Sequence, residues 1–172
     1  MKDNIDAKGF PTTAACPAFE YNPENDATIV AYLRAAGAIV VGKTNLDQFA
    51  TGLVGTRSPY GKTPSVFSDK HVSGGSSAGS GSVVGRGLVP IALGTDTAGS
   101  GRVPAALNNI IGLKPTRGSL SCKGVVPACK SLDCPSIFTL NLHDAQLVYS
   151  IVAQYDVEDE YSRPLPDKLL TS

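Results

Sequence analysis

Histidine is almost absent from this chain: there are two, His71 and His143, and both lie far in sequence from the four cysteines. Cys16, Cys122, Cys129 and Cys134 form no CxxC pair, so the spacing of a structural metal site is missing and none is expected. An excess of charge is missing too. Fifteen Lys and Arg balance fifteen Asp and Glu, which removes the electrostatic reason to expect nucleic acid or an anionic membrane surface as partner. No apolar run approaches the roughly 18 to 20 residues of a membrane span, and no signal-like segment opens the chain. No internal repeat or heptad is visible. The expected compartment is the cytoplasm, with thiols reduced.

What is present suffices for a core. The 172 residues are 42% apolar, with a mean hydropathy of +0.02, as befits one folded domain. Ile29, Val30 and Leu33 are spaced for an apolar helical face over 26–36, with Asn25 or Asp26 as cap and Gly37 as terminator. Residues 38–41 then read as a buried strand and 45–51 as the start of another helix. Residues 88–93 read as a short buried strand, Val103 starts a helix that tolerates Pro104 in its first turn, and 110–115 leave as a strand into a turn. Residues 144–153 form an amphipathic helix. Helix and strand alternate, as in α/β proteins. Val157 to Ser172 is polar and proline-containing, a surface connection beyond a core of residues 1–156.

The most informative stretch is 72–103, where Ser and Gly crowd around a single apolar run. Small residues in Gly74-Gly75-Ser76-Ser77-Ala78-Gly79-Ser80 allow sharp turns and close approach of N–H groups. A second tight loop, Gly94 to Gly101, follows the apolar run at its carboxyl end, where ligands of α/β sheets bind. Two such loops flanking one strand can bring Ser76 and Ser100 together. Composition alone leaves an alternative open: Ala78, Gly79, Gly81, Gly85 and Gly87 would also let a helix pack closely on its neighbours.

GGSSAGSGSVV followed by ALGTDTAGSGRVPAA, with KDNI at residues 2–5, resembles the signature block of the amidase signature hydrolases. The resemblance covers Lys2 to about Pro166. It implies an α/β fold with a mixed sheet covered by helices on both faces, here as a partial catalytic domain over residues 1–172. It implies Lys2 as base, Ser76 as proton relay and Ser100 as acyl-forming nucleophile. It further implies backbone N–H groups of Thr97, Ala98, Gly99 and Ser100 as an oxyanion hole, an Asp96–Arg102 pair holding that loop, and Gly75 and Ser77 as substrate contacts. Ala98, together with the run GVVPACKSLDC, is most similar to the allophanate hydrolase branch, which implies allophanate as the small amide substrate, with ammonia and carbon dioxide as products. No cofactor is implied; ATP and biotin would enter only with a fused urea carboxylase outside this chain. A homodimer is the other assembly to consider. The competing functions are a non-catalytic fragment and one subunit of an amidotransferase. Arg57 is a candidate for anchoring a substrate carboxylate.

The chemistry is coherent on its own terms. A serine hydroxyl needs a base, no histidine is placed to act, and a lysine can serve once burial lowers its pKa. Yet Lys2, next to a free terminus, lacks chain on one side to enclose it. The expectation is therefore a truncated piece that does not work as an enzyme alone.

Two rival motifs fail on context. Gly37 to Thr44 satisfies the phosphate-loop pattern GxxxxGKT, but a helix precedes its first glycine and the intervening AIVV favours extended chain over an anion nest. Lys43 is then an exposed strand-end charge. Gly75 to Gly79 fits GxSxG with Ser77 as nucleophile, but His143, at a helix start, is expected in solvent.

Overall fold

In the computed structural model, residues 1–165 are described. Four helices, α1 (Thr28–Ala35), α2 (Ala78–Gly85), α3 (Arg102–Leu107) and α4 (Leu142–Val152), surround three strands, β1 (Ile91–Thr95), β2 (Ile111–Leu113) and β3 (Pro135–Thr139). The strand order is β1-β3-β2, and β3 runs antiparallel to both neighbours. Among the described residues, parallel pairing is confined to an isolated bridge between Lys2 and Thr44.

Strand alternation sends the two faces of the sheet to two different cores. Leu93 and Ile137, opposite one another in the ladder, pack with Ile29, Val30 and Leu33 of α1 and Val148 and Val152 of α4. Their neighbours Ala92 and Phe138, also opposite one another, pack with Val84 of α2 and Ala105 of α3. Helices therefore cover both faces, as expected. The glycines of α2 serve packing as well. A Cβ on Gly79 would stand 2.7 Å from the Asn45 nitrogen, so this helix touches the Asn45 backbone directly.

The apolar face of α1 is as read, and its end is a Schellman turn. Gly37, at φ +93°, donates to Arg34 O at 2.9 Å, and Ala38 donates to Leu33 O at 2.9 Å. Its start differs. Ala27 is the N-cap and no side chain caps it, because the Asp26 carboxylate pairs with Arg34 and accepts the Lys8 N–H. At α4 the cap is Asn141, whose side chain accepts the Asp144 N–H at 2.9 Å.

Several boundaries are corrected. Residues 38–41 form no ladder; Ile39 and Val41 are 85% and 74% exposed, since chain pairing begins only at Gly42, which accepts from the Met1 nitrogen. Residues 45–51 hold one 3₁₀ turn, Gln48–Ala50, with Phe49 at φ 50°, because Asp47 is drawn inward to bind backbone N–H groups. β1 begins three residues later than read, after Pro90, and Leu88 is exposed. The central strand β3 has no counterpart in the sequence reading. Residues 157–165 are more than a surface connection: Asp159 accepts the Cys122 N–H at 2.7 Å and Arg163 donates to Gly118 O at 2.8 Å. The rest of that segment lies outside the described residues.

Candidate active site

Lys2 is held where its amine has no access to water. The Met1–Asp3 backbone threads between Thr44 and the end of β1: Thr44 N donates to Met1 O at 2.7 Å, Lys2 N to Leu93 O at 3.0 Å and Asp3 N to Thr44 O at 3.1 Å. Enclosure of Lys2, doubted from its sequence position, is complete, with 0% exposure, because β1 and the 42–44 segment cover both sides. Its Nζ donates to Ser76 Oγ at 2.7 Å and to Thr95 Oγ1 at 2.6 Å. Burial lowers its pKa from 10.5 to about 7, against the opposing charges of Asp47, Asp133 and Asp96.

Ser76 leads into α2 through a cis Gly75–Ser76 peptide, and Asp47 N donates to its carbonyl at 3.1 Å. Ser100 follows β1, and its carbonyl accepts the Ser77 N–H at 3.3 Å, tying the two loops together. The hydroxyls of Ser76 and Ser100 are not bonded to each other; Ser100 Oγ donates to Gly52 O at 3.4 Å.

Asp96 organises the loop that carries Ser100. Its carboxylate accepts N–H groups from Gly99 at 2.8 Å, Gly101 at 3.1 Å and Arg102 at 3.1 Å. The Arg102 guanidinium grips both carboxylate oxygens at 2.9 and 3.0 Å, so the expected pairing is present. Burial pushes the Asp96 pKa up, but Arg102 and the three N–H groups outweigh it and hold the carboxyl below its ordinary value. The Gly99 N–H, expected among the oxyanion donors, donates to Asp96 here. The N–H groups of Thr97, Ala98 and Ser100 have no backbone or side-chain acceptor among the described residues. An open cleft of about 290 Å³ lies beside Ser100, between Thr97–Ala98, Gly52–Leu53 and Ala128–Cys129.

Gly75 and Ser77 do not face that cleft. Ser77 is completely buried and its hydroxyl clasps Thr95, donating to its carbonyl at 3.1 Å and accepting its N–H at 3.3 Å. A Cβ at Gly75 would lie 2.1 Å from Asp47 Oδ2, so this glycine admits the buried carboxylate. Neither residue, expected as a substrate contact, lines the cleft, and Ser77 is no exposed elbow nucleophile. His143 is exposed, 87% at its side chain. Lys43 is corrected as well: it pairs with Asp3 at 3.3 Å and donates to Pro11 O and Thr12 Oγ1. Arg57, exposed, spends one N–H on Thr51 O at 3.2 Å. Thr95, Asp47 and Asp133 belong to the site and were not singled out in the sequence. Among the described residues, no group of three or more His, Cys, Asp or Glu side chains could hold a metal ion, and no helix is long and apolar enough to cross a membrane.

The sequence matches the Amidase family over residues 1–172. It is 77% identical to the urea amidolyase of Lachancea kluyveri over 99% of this chain, which is 9% of that protein. It is 44% identical to a glutamyl-tRNA(Gln) amidotransferase subunit of Chlorobium luteolum over 96% of this chain and 34% of that protein. The structure superimposes on Kluyveromyces lactis allophanate hydrolase with a TM-score of 0.95 and 72% identity, covering 96% of this chain and 27% of that one. The chain thus spans a tenth to a third of the length of these relatives.

Proposed function

The chain belongs to the amidase family, and from that premise we propose that it carries the Lys2–Ser76–Ser100 centre of an amide hydrolase acting on allophanate through an acyl-enzyme. The observation that carries this is the completely buried Lys2 amine bonded to the Ser76 hydroxyl at 2.7 Å. A neutral Lys2 accepts the Ser76 proton while Ser76 accepts that of Ser100. Ser100 Oγ, once turned from Gly52, attacks the carbonyl, and the free N–H groups of Thr97 and Ala98 receive the oxyanion. The proton returns through Ser76 to the leaving amine, releasing ammonia, and water then cleaves the acyl-enzyme.

The allophanate assignment is supported by greater identity to urea amidolyase and allophanate hydrolase than to amidotransferase subunits. The Ala98 methyl at the cleft narrows it, which suits a small planar amide. The test is ammonia release from allophanate, malonamide and a glutaminyl substrate side by side, with mass spectrometry of the trapped acyl group. Allophanate should be preferred and the adduct should map to Ser100, vanishing in Ser100→Ala. An adduct on Ser77 would sink the assignment. Preference for the glutaminyl substrate, with copurifying subunits, would support an amidotransferase instead.

A further inference from the structure

Asp133 joins the two walls of the cleft beside Ser100. The residue is 5% exposed, and its carboxylate accepts the Thr97 hydroxyl at 2.5 Å, the Ala128 N–H at 2.9 Å and the Cys129 N–H at 3.1 Å. Thr97 and Ala98 line one side of the cleft, Ala128 and Cys129 the other. Every one of these donors is neutral, and among the described residues no lysine, arginine or histidine pairs with Asp133.

An ionised carboxylate only accepts, so the Thr97 hydroxyl has one way to bond to it, and its χ1 is set. The peptides on either side of Thr97 are then held from two directions. Asp96 is fixed behind them by its N–H on Cys134 O at 2.7 Å and by Arg102. Ahead of them Gly99 turns back onto Asp96 at 2.8 Å. Between these anchors only the Thr97 side chain reaches outward, and it reaches Asp133. The Thr97 and Ala98 N–H groups have no other partner to fix their direction.

We propose that Asp133 is a positioning residue for the oxyanion donors: through the Thr97 hydroxyl it aims the Thr97 and Ala98 N–H groups into the cleft, and through Ala128 and Cys129 it sets the distance to the opposite wall. This rests on the reading of Ser100 as nucleophile. Donors aimed at charge that develops only in the transition state act on kcat rather than on ground-state binding.

The experiment uses Thr97→Val, which keeps shape and removes the hydroxyl, Thr97→Ser, Asp133→Asn and the Thr97→Val/Asp133→Asn pair, each measured for kcat, KM and the site of acylation. Outright loss of a donor costs about 100- to 1000-fold in kcat; a donor that is present but misdirected should cost about tenfold, with KM within about twofold. Thr97→Ser should recover most of the loss, and the double variant should lose less than the product of the two single losses, since the Thr97–Asp133 bond is common to both. If Asp133→Asn fails to fold, Thr97→Val carries the test alone. Wild-type kcat in Thr97→Val overturns the assignment, as does a loss appearing only in KM or melting temperature. Acylation of the wild type at a residue other than Ser100 would instead sink the underlying reading.

Discussion

Titration of Lys2 offers the sharpest handle on the proposed chemistry. Lowering its pKa from 10.5 to about 7 corresponds to about 5 kcal/mol in favour of the neutral amine, at roughly 1.4 kcal/mol per pKa unit. At pH 7.5 about three quarters of such a lysine is neutral, whereas about one in a thousand of an ordinary lysine would be. The environment thus raises the population of the neutral amine by nearly three orders of magnitude. Activity should follow that population: log kcat/KM climbs by about one per pH unit below pH 7 and levels off above it. Lys2→Arg should be inactive at every pH, because guanidinium stays protonated. Folding gives a second readout. The unfolded chain holds the lysine proton between about pH 7 and 10.5 while the folded chain does not, so stability rises with pH across that window. Lys2→Met removes this part of the slope. Rate profiles and thermal melts from about pH 5 to 10, on wild type and both variants, would measure both effects. A flat rate profile, a break near pH 10, or an active arginine variant would refute Lys2 as base.

Three further outcomes follow from the same geometry. Ser77→Ala should still acylate at Ser100 but lose about 1–3 kcal/mol, read as a lower denaturation midpoint, because the buried Thr95 N–H loses its acceptor. Gly75→Ala should fail to fold or lose all turnover, as its methyl would meet the Asp47 carboxylate and the Gly55 nitrogen at 2.1 and 2.7 Å; expression and ammonia release decide it. Asp96, with its folded pKa lowered, contributes stability that is complete above its unfolded value of about 4 and is lost as pH falls through the folded value. Asp96→Asn should therefore melt lower at neutral pH and lose this acid dependence, measured by melting temperature from about pH 2 to 7.

Elements carried by local pattern were legible, and those carried by distant partners were not. The apolar face of α1 and its Gly37 terminator need only residues within two turns, and both stand. Residues 38–41 have the apolar, β-branched composition of a buried strand, but a ladder requires a neighbour in register, and none is present there among the described residues. β3 was missed for the converse reason. Its five residues, Pro-Ser-Ile-Phe-Thr, begin with a proline and alternate poorly, yet all five are buried because β1 and β2 flank it and helices cover both faces. A central strand owes its burial to its neighbours, and its own composition says little about it.

The site shows the same division at finer grain. Ser76 and Ser100 stood out because tight loops demand small residues, so the motif and its geometry share one cause. Thr95 lay within the same motif, GTD, and could have been singled out as the hydroxyl the lysine would need, since a buried amine with a single acceptor is poorly satisfied. The bond from Gly99 to Asp96 was foreseeable without a structure: an Asp three residues before a glycine in a tight loop commonly accepts that glycine's N–H. Asp47 and Asp133 were not recoverable in this way. Each accepts N–H groups several residues further along or back in its own loop, and each meets the Ser76 and Ser100 loops only through contacts the fold creates, Asp47 at Gly75 and Asp133 at Thr97. Carboxylates of this kind leave no spacing to read, and they are where a structure adds most to a sequence motif.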